Sequence, residues 1–364
     1  MGVLSSITKL PGAARYQGME GIRAYAVLLT FAVHYFTFVF QRVHSLNPNR
    51  YGVIEVYELT GSTWDAFMLY LFRSQYGVDL FFILSGFLIY RMLIKGKQSF
   101  VPYVKNRLMR IYPVFLVSLA VAIFVKCWLM PQMTIDLERF IKSLVLVYVD
   151  YNGPAWSLRY ELIFYVVMPA IIAVGARLGG VVTLRWIFFG VFCLFMWASG
   201  FPRFAMFFAG AMVASFSDKQ LHEFAGRVPD SLVAAIFLAS TTAYAFIPKY
   251  NLMMPFFAIT FGLFFIAVVF GAGFLNRAFT VYPMRFLGNV SYSFYMIHGP
   301  ALGIGFWLSA KLVTQATILE RCLSMLAFSF AVTVILSVIM FLTLELPYFK
   351  GKQREASGSV VSAT

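Results

Sequence analysis

Residues 20–36 read EGIRAYAVLLTFAVHYF. The stretch is apolar enough to cross lipid, yet it holds Arg23 and His34. An ionisable side chain in hydrocarbon is costly without a partner, a polar cavity or a task. Eleven residues of α-helix make just over three turns, so the two side chains share one face within about 20°. They lie about 16 Å apart along the axis. Glu20 is one turn below Arg23. A snorkelling arginine with a hydrogen-bonded core histidine accounts for the pattern as readily as a functional pair does, and the rest of the chain has to decide.

The composition of that stretch extends through the chain. Of 364 residues 61% are apolar and 12% charged, and mean hydropathy is +0.80. A soluble domain carries about a quarter charged residues. Apolar runs recur from residue 21 to residue 344, with no polar block large enough for a separate globular domain. The expected fold is all-α, a polytopic transmembrane helix bundle in a lipid bilayer. It is expected to occupy 1–348 as one membrane domain, with a short polar tail at 349–364. The 41 Phe, 20 Tyr and 6 Trp suit lipid-facing and interfacial positions. Residues 1–19 hold no apolar region and no cleavage pattern, so the first helix is expected to act as an uncleaved insertion signal. Cys127, Cys193 and Cys322 have no paired spacing, and the histidines have no i, i+4 neighbours. Neither a disulfide framework nor a metal site is expected.

A membrane helix needs about 20 apolar residues. With Pro, Gly and charge as punctuation, ten spans are expected, at about 21–41, 77–94, 111–130, 156–175, 182–199, 203–216, 231–247, 254–271, 286–308 and 323–344. With a cytoplasmic N-terminus, 17 of the 29 lysines and arginines fall inside and nine outside, while acids lean outward. Topology therefore accounts for the net charge of +14 without nucleic acid as a partner. Both termini are expected in the cytoplasm.

Further polar groups interrupt the spans. The second opens YGVDLFFILSGFLIYRML, with Asp79 near the outer surface and Ser85-Gly86 deeper. Asp79 suits a helix N-terminal cap as well as a site, and Ser85-Gly86 suits close helix packing better than nucleophilic chemistry. In KNRLMRIYPVF, Arg107 and Arg110 lie one turn apart before Pro113. They serve either as positive-inside anchors or as a clamp for phosphates. PAWSLRYELIFY sets Arg159 and Glu161 in the outer half, where Glu161 needs a partner among Arg159, the Asp79 neighbourhood and His34. LGNVSYSFYMIHGPALGIGF brings Tyr295 and His298 to mid-membrane depth, and LTLELPYFK ends the last span with Glu345 as an ion-pair partner for inner-end arginines.

These pieces, in this order, resemble the acyltransferase-3 family of integral membrane O-acyltransferases. The resemblance runs through Arg23 and His34 as R-x10-H, GVDLFFILSGFLI, Arg107-x2-Arg110-x2-Pro113, WSLRYELIFY, LGNVSYSFYMIH and LELP. Arg159 departs from it, standing where the family usually has a small or apolar residue. Some relatives carry a second, extracytoplasmic SGNH-type domain, and none is expected here.

The resemblance implies acyl-CoA, most often acetyl-CoA, as donor and a hydroxyl of a glycan or glycolipid as acceptor, in a bacterial inner membrane. Arg107, Arg110 and Arg23 would hold the nucleotide phosphates, and the pantetheine arm has about the length of the Arg23–His34 interval. His34 is the expected base, because a neutral imidazole tolerates burial and titrates near neutrality. Glu161 is expected to orient His34, and His298 or Tyr295 to donate to the oxyanion. Asp79, Ser85 and Arg159 are expected to support the site or contact the acceptor, and Glu20 and Glu345 to form structural ion pairs. The competing class is a sugar or lipid transporter or flippase that uses buried His and Glu as a proton relay. Acyl length, acceptor identity and oligomeric state are not legible in the residues.

Overall fold

The computed structural model describes residues 16–95, 99–177, 182–247, 250–314 and 317–351. Lys9, Arg15, Lys97, Lys249, Lys352 and Arg354 of the charge pattern, and 352–364 of the expected tail, lie outside them. Among the described residues every regular element is helical. The long helices are α1 (Gln17–His44), α2 (Val53–Thr60), α3 (Thr63–Phe72), α4 (Gly77–Lys95), α5 (Phe100–Leu129), α6 (Leu137–Leu144), α7 (Trp156–Arg177) and α8 (Val182–Ala198). They continue as α9 (Phe204–Ser215), α10 (Asp218–Arg227), α11 (Asp230–Phe246), α12 (Met254–Phe270), α13 (Phe274–Phe279), α14 (Tyr282–Asn289), α15 (Ser291–Leu312) and α16 (Ile318–Met340).

Among the described residues, five stretches are long and apolar enough to cross a membrane: Gln17–His44, Thr63–Ile94, Phe100–Leu129, Gly153–Val174 and Leu319–Gly351. A sixth exists if Asp218–Arg227 and Asp230–Phe246, which meet at 89°, form one bent span. Ten were expected. The segments expected at 182–199, 203–216 and 254–271 are helices of 17, 12 and 17 residues, short of the 20 or so that hydrocarbon requires. The expected ninth span, 286–308, breaks at Val290 into α14 and α15. The second span also begins earlier than expected. Residues 42–76, between the first two expected spans, hold the end of α1, then α2, α3 and a turn of 3-10 helix at Pro48–Arg50, and α3 continues into α4 after a short break.

The chain divides into two compact units, Met1–Gln98 with Tyr160–Asn289, and Ser99–Arg159 with Val290–Thr364. In the first, α1 runs unbroken for 28 residues because no proline interrupts it before Pro48. It ends at Ser45, whose left-handed backbone lets its N–H reach the Gln41 carbonyl at 2.9 Å. Glycines then let backbones meet. Gly21 lies against Phe279 and Gly288 against Glu20, joining α1 to α13 and α14. Gly86 lies on the Phe207 backbone and Gly210 on that of Ile83, joining α4 to α9 from both sides. Phe207 stacks on Phe82 and Phe164 at centroid distances of 4.6 and 4.5 Å.

In the second unit, α15 packs along α16, with Gly305 against Ser329. Tyr292 ties α15 to α5 by donating to the Ile111 carbonyl at 2.8 Å. Helix α5 spans 30 residues, about 45 Å, which exceeds the hydrocarbon thickness. Arg107 and Arg110 sit in its first three turns. After α16 a π-turn at Phe341–Glu345 shifts the register and buries Glu345.

The glycine contacts generate a direct expectation. Gly86→Leu drives a side chain into the Phe207 backbone and should destabilise the protein by about 1–3 kcal/mol or more. Gly190→Ala, with open space around its Cβ position, should be neutral or stabilising by a few tenths of a kcal/mol. Thermal unfolding of the two variants in detergent separates the effects.

Candidate active site

His34 sits half-buried on α1, and its Nδ1 lies 2.9 Å from the carbonyl oxygen of Thr30, one turn earlier. A carbonyl only accepts, so Nδ1 carries the proton and Nε2 of the neutral ring presents a lone pair. The Thr30 hydroxyl in turn donates to the Ala26 carbonyl at 2.8 Å. The ring is therefore oriented by the backbone of its own helix. Arg23 is half-buried on the same helix, and the unbroken run between them preserves the eleven-residue interval.

In the same unit, Ser85 of α4 donates to Glu161 Oε1 at 2.7 Å, and Tyr165 reaches Oε2 at 3.4 Å. Gly86 sets the close approach of α4 to α9, so Ser85-Gly86 does both jobs, packing and polar contact. The partners of Glu161 among the described residues are these hydroxyls. The expected orientation of His34 by Glu161 is replaced by the Thr30 carbonyl. Arg159 does not meet Glu161 either. Its guanidinium donates to the carbonyls of Leu146 and Val147 at 2.9 and 2.8 Å, tying down the chain before α7.

Asp79 is fully buried and pairs with Arg203 at 3.0 Å, while the other arm of Arg203 reaches the Tyr244 hydroxyl at 3.2 Å. Gly77, two residues before Asp79, packs on Ala26, Leu29 and Thr30 of α1, so Asp79 lies level with the middle of that helix rather than at its outer end. Arg203 was expected outside, in the GFPRF turn. The turn is there, with Gly200 at φ +86°, but Arg203 folds inward. At the other end of α1, Glu20 pairs with Arg285 of α14 at 2.8 Å.

The second unit repeats the histidine device. His298 is 1% exposed, and its Nδ1 lies 2.7 Å from the Tyr295 carbonyl, so Nε2 again carries the lone pair. Neutral His298 is then an acceptor at Nε2 rather than the oxyanion donor expected of it. Tyr295 donates its hydroxyl to the Pro154 carbonyl at 3.0 Å, which commits the other expected donor. Asn152, which the sequence did not single out, is buried and bridges Ser118 Oγ at 3.0 Å and the Met296 carbonyl at 3.3 Å. Its only signal was the NGP turn before the fourth span. Glu345 accepts from Ser293 at 2.5 Å. Arg107 lies 5.8 Å from the Tyr103 ring centre and Arg110 5.9 Å from that of Phe349, on the tail side of the π-turn. Among the described residues no three His, Cys, Asp or Glu side chains cluster as metal ligands.

Residues 16–344 match the model of an acyltransferase domain family, acyltransferase 3. The chain belongs to this family. With its apolar helices, the acyltransferase is an integral membrane protein. It is 27% identical over 256 residues to the exopolysaccharide production protein ExoZ of Rhizobium meliloti (strain 1021), covering 63% of this chain and 76% of that protein. No solved structure matches it.

The buried pair of this acyltransferase yields a stability test. Arg203→Met should leave the Asp79 carboxylate uncompensated and cost about 3–5 kcal/mol. The double variant Asp79→Leu with Arg203→Met should recover part of that loss, because no lone charge stays buried. Thermal unfolding of the three proteins in one detergent checks both statements.

Proposed function

We propose that this acyltransferase moves an acyl group, acetyl in the simplest case, from cytosolic acyl-CoA to a hydroxyl of an exopolysaccharide or its membrane-associated precursor, in a bacterial inner membrane. Family membership supports acyl transfer, and the name of the ExoZ relative supports a polysaccharide acceptor. The observation that carries the mechanism is the bond from His34 Nδ1 to the Thr30 carbonyl. It presents Nε2 as a base in the element that bears the R-x10-H pattern. The acceptor oxygen attacks the thioester carbonyl while its proton passes to Nε2. The tetrahedral adduct then collapses, the carbon–sulfur bond breaks, and the CoA sulfur leaves with the proton from the imidazolium. The Glu161 carboxyl is held in the same unit by Ser85 and Tyr165. His298, in the same tautomer, is a second acceptor for a hydroxyl proton.

Arg107 and Arg110 are proposed to hold the CoA phosphates, with Arg23 along the arm. The positive-inside pattern supports a cytoplasmic donor side, and the position of His34 well along α1 supports delivery of the acyl group toward the opposite face.

His34→Ala should lower transfer by about 10²–10⁴-fold at unchanged protein level, measured as radiolabelled acyl incorporated into polysaccharide by membranes. Wild-type incorporation by that variant would refute the base assignment. Arg107→Gln with Arg110→Gln should raise donor KM strongly with a smaller change in kcat, whereas a purely anchoring pair would leave donor KM unchanged. In oriented proteoliposomes, acyl-CoA supplied at the basic face should label acceptor enclosed at the other. Labelling confined to acceptor on the donor face would reverse the proposed direction.

A further inference from the structure

We propose that Thr37, Asn49 and Gln75 form a carbohydrate subsite beside His34 that receives the acceptor, an inference that rests on the acyl-transfer function above. Thr37 follows His34 by three residues on α1, which places the two side chains on one face with Cβ atoms about 5–6 Å apart. Asn49, from the turn at Pro48–Arg50, donates Nδ2–H to Thr37 Oγ1 at 3.2 Å. Its Oδ1 accepts from Gln75 Nε2 at 2.6 Å. Gln75 lies in the break between α3 and α4, and three contacts anchor that break. Ser74 donates to the Leu29 carbonyl at 2.7 Å, Arg73 donates to the Tyr51 carbonyl, and Gly77 packs on Ala26, Leu29 and Thr30. Gln75 is thus rooted on α1 at Leu29–Thr30 and tied at its tip, through Asn49, to Thr37. His34 lies between those two tie points.

The chemistry of the cluster selects the ligand class. Asn49 is exposed and Thr37 and Gln75 half-exposed, so a ligand can reach them. Two amides and a hydroxyl both donate and accept, as sugar hydroxyls do, and no charged side chain takes part. A CoA phosphate would call for cations, and an acyl chain for apolar walls. The hydrogen bonds within the trio engage one Nδ2–H of Asn49 and one Nε2–H of Gln75. The second N–H of each, and Gln75 Oε1, make no other hydrogen bond among the described residues. Polar side chains from three segments, held to one another rather than left to solvent, are preorganised for binding.

The test uses the full-length protein in detergent. The probe is oligosaccharide made by partial acid hydrolysis of the host's own exopolysaccharide and de-acylated with mild alkali. Binding is measured by calorimetry, independently of turnover. Asn49→Asp keeps two oxygens to accept from Gln75 and from the Thr37 hydroxyl, so the segment stays pinned while the outward N–H is lost. Gln75→Glu removes that side chain's donors. Each should weaken oligosaccharide binding about tenfold, the scale of one lost hydrogen bond, and raise acceptor KM with donor KM and melting temperature unchanged. Equal binding by wild type and both variants, or no binding by wild type, would overturn the subsite. Wild-type binding without any acyl incorporation would instead overturn the acyl-transfer function and leave the subsite standing.

Discussion

A charge carried into an apolar helix bundle has to be met there, and the Asp79–Arg203–Tyr244 contact is where this protein meets it most deeply. The carboxylate and the guanidinium are both buried, and the pair joins the start of α4 to the start of α9. The rest of the first unit follows from that joint. Two residues before Asp79, Gly77 seats α4 on the middle of α1; seven residues after it, Gly86 seats α4 on α9. Between them lies Ser85, which donates to Glu161 of α7. Stability and the placement of the site are therefore one problem in this unit. Losing either charge leaves the other in a medium that cannot solvate it.

The histidines show a different economy. His34 and His298 each give Nδ1–H to a backbone carbonyl of their own helix, three or four residues back. A triad would place a carboxylate at that position. A carbonyl holds the ring and the tautomer without adding another buried charge, which suits an apolar surrounding. Glu161 is left to two hydroxyl donors, and Arg159 to the carbonyls before α7. The polar residues that the sequence grouped by depth are thus divided by partner, and oriented largely by neutral groups.

Sequence alone determined that the chain is helical, apolar and built for a membrane. Those properties follow from composition and local periodicity, which do not depend on long-range contacts. It determined the family as well, since R-x10-H and the ordered motifs are linear patterns, and it placed Arg23 and His34 on one face because α1 is unbroken. It left residues 42–76 between two spans, where Gly61, Asp65 and Arg73 punctuate the apolar run and hide a helical pair leading into the second span. Tertiary structure decided the partners. Nothing local distinguishes Arg203, in a turn, from an arginine in solvent; it is buried because Asp79, 124 residues away, is buried too. The amide of Asn152 and the junction of Asn49, Gln75 and Thr37 escaped notice for the same reason. A single polar residue in a loop has no periodicity, and its role exists only once the fold brings its hydrogen-bond partners to it.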